Sequence, residues 1–131
     1  MNAVEYMNPK DLPDTYGGYT HIVRVGNTVY ISGQVSADTS SDLVHAGDLE
    51  AQTRQVWHNL EEAVKAAGGT LRDIVKTTTF VTNPDYFPTV RRVRNEIWDD
   101  LKLPSNTMLV VKAFANAEYL VEIEAVAVVE K

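Results

Sequence analysis

The chain has 131 residues, 44% hydrophobic and 23% charged, which suits one compact domain burying roughly two thirds of its unfolded surface. Its formal charge of -6 and pI near 4.9 argue against a phosphate-binding surface, so no nucleic-acid partner is expected. With no cysteine there are no disulfides, thiolate nucleophiles or cysteine-ligated metals, and any chemistry falls to carboxylate, amide, hydroxyl or imidazole groups.

The first residues, MNAVEYMNPKDLPD, hold acids and prolines where a secretory signal needs an apolar run. Nowhere is there a span of about 18 apolar residues, so a soluble cytoplasmic protein without a membrane partner is expected. Residues 1–18 lack periodicity and carry Pro9, Pro13, Gly17 and Gly18, which predicts an irregular arm. THIVRV and TVYISGQ are β-rich runs separated by Gly26-Asn27, a turn pair that favours a hairpin. From Val35 to Gly47 the composition predicts a surface loop.

A first helix is predicted from Asp48, as N-cap, to Ala67, stopped by Gly68-Gly69. Leu49, Val56, Leu60, Ala63, Val64 and Ala67 repeat at helical spacing and define one apolar face. IVKTTTFVT follows as a strand, ended by a turn at Asn83-Pro84-Asp85. A second helix over Tyr86 to Leu101 places Phe87, Val90, Val93, Ile97, Trp98 and Leu101 on one stripe, with Arg91 on its flank and Arg94 inside it. LPSN breaks the pattern, TMLVVKAF predicts a strand, and EYLVEIEAVAVVE a long last strand. The expected order is β-β-α-β-α-β-β.

Side chains alternate along a strand, so in LVEIEAVAV Glu122 and Glu124 share a face with Leu120, Val126 and Val128. Val121, Ile123, Ala125, Ala127 and Val129 line the other face. Two helices cover one face of a sheet and little more, yet the last strand is apolar on both. The simplest cover for the second face is another copy of the chain, and pockets at such joints suit small ligands.

His21, His45 and His58 occupy different elements with no partner at metal spacing, and His58 shares a polar helix face with Arg54, Glu61 and Glu62. No G-x-S-x-G, P-loop or H-E-x-x-H pattern occurs. Two groups stand out. One is the RRVR run, Arg91 to Arg94, which a solvated helix edge pairing with acids of a neighbour would explain. The other is the glutamate pair, which suits either a rim salt bridge to another subunit or a catalytic carboxylate.

Several stretches together resemble the Rid proteins (RidA/YjgF, the endoribonuclease L-PSP family). GGYTHIVRVGNTVYISGQV is similar to the family's opening, AQTRQVWHNLEEAVKAAGGTLRDIVKTTTFVTN to its first helix and following strand, and VEIEAVAV to its closing signature. The resemblance covers about residues 17–130. It implies an α+β fold of the chorismate-mutase-like kind, with two helices on one sheet face, assembled as a homotrimer with clefts between subunits. It also implies an enamine or imine deaminase activity without metal or organic cofactor. The family's site positions map onto Tyr19, Ser32, Gly33, Arg91, Asn106, Met108 and Glu122, with Glu122 as the catalytic group and the others contacting ligand.

Two positions depart from the deaminase pattern. Where those enzymes carry a carboxylate-gripping arginine in Pro-Ala-Arg-Ser-Cys, this chain has Pro104-Ser105-Asn106-Thr107-Met108, and an amide supplies neither the charge nor the planar fork of a guanidinium. The family's asparagine on the second helix is Arg91 here, a cation that can meet an acidic ligand from another direction. The resemblance therefore implies a hydrolase for a small reactive C=N or enamine acid other than the usual amino-acid-derived 2-imino acids. The alternatives are a non-catalytic trimer that binds small acids or a protein partner, and a ribonuclease, which a pI near 4.9 disfavours.

Overall fold

The computed structural model describes residues 3–100 and 102–130. Its six strands are β1 (Val4–Met7), β2 (Ile22–Val25), β3 (Thr28–Gln34), β4 (Ile74–Val81), β5 (Ser105–Val110) and β6 (Val121–Val128). They form one sheet in the order β1-β2-β3-β6-β4-β5. Every pairing is antiparallel except β4 with β5. Parallel neighbours need a long crossover, and α2 (Phe87–Ile97) supplies it. The other helix is α1 (Leu49–Ala66), which contacts β3 and β6.

Asp48 caps α1 as predicted: it is extended and its carboxylate accepts from the Ala51 amide at 3.0 Å. Gly68, at φ +88, turns the chain out of the helix while its amide donates to the Lys65 carbonyl. The hairpin between β2 and β3 turns at Gly26, φ 62. Both helices lie on the sheet face that carries Val121, Ile123, Ala125 and Ala127, all buried with Val56, Leu60, Val64, Val90 and Val93.

Four departures from the predicted elements exceed one or two residues at an end. Residues 1–18 were expected to be irregular, yet Val4–Met7 pairs with β2, with Met7 opposite Ile22 and packed against the core. The second helix ends at Ile97: Trp98 leaves helical geometry (φ -95, ψ 76) and meets Trp57 edge-on at 4.9 Å, while Asp99 and Asp100 turn to Arg72. Leu101 lies outside the described residues. β5 starts earlier and stops at Val110, opposite Val81, the last residue of β4. β6 starts at Val121 because the Leu120 amide donates to Gln52 Oε1 on α1 instead of joining a ladder.

Gln52 and Asn59 are buried polar residues on α1 that the periodicity did not single out. Gln52 Nε2 donates to the Glu118 carbonyl at 3.0 Å, and Asn59 Nδ2 to the carbonyls of Val35 and Ala37, both at 3.2 Å. Helix α1 thereby holds the chain on either side of the cavity described below. Arg24 does similar work at the opposite end. Buried at 5% exposure, its guanidinium donates to the carbonyls of Gly26, Ala67 and Val129, closing the C-terminus of α1 onto the hairpin. Arg24→Ala strands acceptors that burial deprives of water, so a loss of about 3 kcal/mol in urea unfolding is expected. A loss below about 0.5 kcal/mol would show that solvent replaces the guanidinium.

The other sheet face is bare. Residues paired across strands share a face, which puts Val4, Val25, Thr28 and Val128 in one row, and Tyr6, Val23, Tyr30, Val126 and Lys76 in the next. Val4, Tyr6, Val25, Tyr30 and Val128 are all exposed. No described helix is long and apolar enough to cross a membrane.

Candidate functional site

Glu122 and Glu124 stand on the bare face, opposite Phe80 and Thr78 of β4. On the other side, β3 carries one extra residue between Ile31 and Gln34, a bulge at Ser32 and Gly33. The Glu122 side chain lies over Gly33 so closely that a Cβ there would sit 2.9 Å from its Cδ. The bulge and the glycine together give the carboxyl room to fold down onto the sheet. Burial, and secondarily the nearby Glu124, push its pKa above the ordinary carboxylate range.

A cavity of about 380 Å³ opens here, lined by Tyr19, Ser32, Gly33 and Glu122 together with Val35, Phe114, Ala115 and Tyr119. Tyr19 is half exposed at its mouth, and burial followed by the Glu122 charge raises its phenol pKa. Burial, with lesser contributions from Asp38, Tyr19 and Asp42, does the same for Tyr119. The cavity holds one proton-accepting carboxyl, two phenols and the Ser32 hydroxyl, and otherwise carbon and backbone. Such a place can bind a small, mostly apolar molecule against a base.

A buried polar layer supports this arrangement. Tyr19 rests edge-on against His21 at 5.2 Å, and His21 is 1% exposed. His21 Nε2 lies 2.6 Å from the Pro13 carbonyl, an acceptor only, which places the ring N–H there and lets Nδ1 accept from Gln34 Nε2 at 3.0 Å. Gln34 Nε2 also donates to the Ser32 carbonyl, and Ser32 Oγ to the Thr20 carbonyl. The bulge under Glu122 is thus fastened to the segment that carries Tyr19. His21 has no partner at metal spacing in the sequence, and its place within a β-rich run is the available sign of its burial. Tyr119 and Phe114 fall in predicted strands, and nothing in the pattern marks them as cavity walls.

Four of the seven expected positions, Tyr19, Ser32, Gly33 and Glu122, therefore meet in one cavity. Arg91, Asn106 and Met108 do not line it. Asn106 and Met108 sit beside Thr77 and Thr79 on β5, on the helix-covered face, because the parallel register matches Asn106 with Thr77 and Met108 with Thr79. Asn106 Oδ1 accepts from both threonine hydroxyls at 2.9 Å, which turns its NH2 away from them. Arg91 is exposed on α2. Within one chain the seven positions fall into two groups on opposite sides of the sheet.

A mixed six-stranded sheet with two helices on one face, a bare second face and a carboxylate-lined cavity upon it defines an α+β protein of the YjgF type. Solved structures agree: YyfA of the conserved Rid protein family from Yersinia pestis superposes with a TM-score of 0.91 at 33% identity, covering 97% of this chain and 100% of that one. The YjgF gene product of E. coli gives 0.87 at 30% identity, covering 95% and 98%. The sequence model described as Endoribonuclease L-PSP matches residues 9–129. The chain belongs to this family, the Rid proteins. Among its relatives are a 2-iminobutanoate/2-iminopropanoate deaminase of Dermatophagoides farinae, 32% identical over 95% of this chain and 100% of its own length, and the 3-aminoacrylate deaminase RutC of Acinetobacter baylyi, 30% identical over 94% and 96%.

Proposed function

We propose that the protein hydrolyses a small enamine or imine acid to the corresponding carbonyl compound and ammonia, with Glu122 as the general base. The observation that carries this reading is Glu122 itself: a half-buried carboxyl of raised proton affinity, folded over Gly33 inside a cavity that Tyr19 flanks. Hydrolysis of C=N needs a water at the electrophilic carbon and a group to take its proton. A carboxylate of raised pKa is a stronger base than a solvated one. An enamine first tautomerises to the imine; attack then forms the C–O bond while Glu122 takes one water proton and passes it to the nitrogen. Collapse of the carbinolamine sends the remaining hydroxyl proton through the same carboxylate to the nitrogen as the C–N bond breaks, leaving the carbonyl compound and ammonia. The names of the relatives support the reaction class.

The site is completed between subunits in this reading. The bare apolar rows of the sheet become buried in a homotrimer, and the β5 edge of one chain, with Asn106 and Met108, approaches the Glu122 cavity of its neighbour. The exposed Val4, Tyr6, Val25, Tyr30 and Val128 support such an assembly. The substrate differs from simple 2-imino acids, because Asn106 offers an amide donor where a guanidinium fork would grip the carboxylate. That same residue favours a second reading, a trimer that binds small acids without turnover.

Ammonia release from freshly generated enamine acids, followed in a coupled assay with and without the protein, tests the proposal. Acceleration that disappears in Glu122→Gln supports hydrolysis. Ligand-dependent thermal shifts with no acceleration for any enamine or imine acid would leave the binder.

A further inference from the structure

The chain has an excess of acids, and it spends them on its arginines unevenly. Arg54, Arg72 and Arg92 each meet two carboxylates: Glu50 and Glu96, Asp99 and Asp100, and Glu50 and Glu96 again. Arg24 meets three backbone carbonyls. Among the described residues, Arg91 and Arg94 meet no carboxylate. Arg94 is half-buried and makes only weak bonds to its neighbour, Nε and Nη2 both 3.3 Å from Asn95 Oδ1. Its pKa is drawn below the usual arginine range, first by burial and then by the Arg91 charge. Two like charges held close, one of them partly dehydrated and neither compensated, form an arrangement that an anion would stabilise.

The position of the pair follows from helix geometry. Successive residues advance about 100° around an α-helix, so Val90 and Val93, both buried, set the core side of α2. Arg92 and Glu96 fall on the flank that ion-pairs with α1. Arg91 and Arg94, three residues apart, share the opposite flank. Because α2 is the crossover between β4 and β5, and α1 lies over β3 and β6, that opposite flank faces the β5 side of the sheet. The helix-facing positions of β5 there are Asn106 and Met108. Asn106 turns its NH2 outward because its oxygen is held by Thr77 and Thr79.

We propose that Arg91 and Arg94 bind a small dianionic acid, a short dicarboxylate in the simplest case, with the Asn106 amide as an uncharged donor beside them. One carboxylate would leave a net positive charge on the pair, whereas two neutralise it through charge-assisted hydrogen bonds. Placing this acid in the reaction, as the second charged group of the substrate, rests on the hydrolase reading; the binding itself does not.

Calorimetric titration of the full-length protein at low ionic strength with succinate and with butyrate, equal in length and differing by one carboxylate, tests it. Succinate is expected to bind roughly tenfold tighter, the scale of one or two added charge-assisted bonds. Arg91→Gln and Arg94→Gln are each expected to abolish that preference, and Arg72→Gln to preserve it. Light scattering on every variant is expected to show an unchanged assembly. Equal affinity for the two acids overturns the proposal. So does a variant whose assembly dissociates while the succinate preference survives, since the countercharge would then be a neighbouring subunit's carboxylate. Succinate binding through this pair with no ammonia release from any enamine acid would instead overturn the hydrolase reading alone.

Discussion

Glu122→Gln is expected to lower ammonia release by at least about a hundredfold, the usual scale for removing a positioned general base, while leaving the fold intact. Glutamine keeps the shape that lies over Gly33 but has no lone pair basic enough to take a proton from water. In the wild type, the rate is expected to fall on acidification through a pH above the ordinary carboxylate range, because the protonated carboxyl cannot act as a base and its pKa is raised. The same shift has an opposite consequence for stability. A carboxyl whose folded pKa exceeds its unfolded value favours folding below the unfolded pKa, and that contribution is lost as pH rises through the folded one. At neutral pH Glu122 therefore opposes folding, and Glu122→Gln should melt at the same temperature as the wild type or higher. A variant that is inactive because it is poorly folded would melt lower, and a fully active variant would remove Glu122 from the chemistry.

The parts of this arrangement that local pattern dictates were legible in the sequence. The Gly26-Asn27 hairpin, the Asp48 cap, the apolar stripe of α1 and the alternation that sends Glu122 and Glu124 to one face all rest on neighbours a few residues apart. The four-residue β1 was not legible, because its signal is too short to stand out among prolines and it becomes a strand only by pairing with β2. The parallel register of β5 was likewise hidden, and with it the fact that Asn106 and Met108 lie on the opposite side of the sheet from Glu122. Nothing within the β5 run itself fixes which strand it will meet.

The separation of the seven positions into two groups has a physical logic. A carboxyl of raised pKa needs a desolvated setting, and the cavity around Glu122 provides one. A cluster of arginines needs water or anions, and the outer flank of α2 provides access to both. Placing Arg91 and Arg94 near Glu122 in one chain would pair the charges and depress the carboxyl pKa. Keeping them on different surfaces of the chain leaves the raised proton affinity of Glu122 intact.

Gly33→Ala is the more discriminating substitution, because it alters no chemical group of the site. The glycine is not required by its backbone, which lies outside the left-handed region, but by space. A methyl at this position would approach Glu122 Cδ to 2.9 Å, Oε2 to 3.0 Å and Cγ to 3.1 Å, well inside ordinary carbon contact distances. The strand is anchored by the Ser32 amide on the His21 carbonyl and by Gln34 on the Ser32 carbonyl, so the side chain of Glu122 must yield rather than the bulge. A displacement approaching 1 Å at a reacting group costs on the order of a hundredfold in rate. Gly33→Ala is therefore expected to lose about two orders of magnitude in kcat, with a destabilisation of about 1 kcal/mol or less because the displaced end is flexible. If the glycine acts through Glu122, the double variant with Glu122→Gln should be no slower than Glu122→Gln alone. Rates that multiply instead would mean that Gly33 serves the site by another route, such as its own backbone amide.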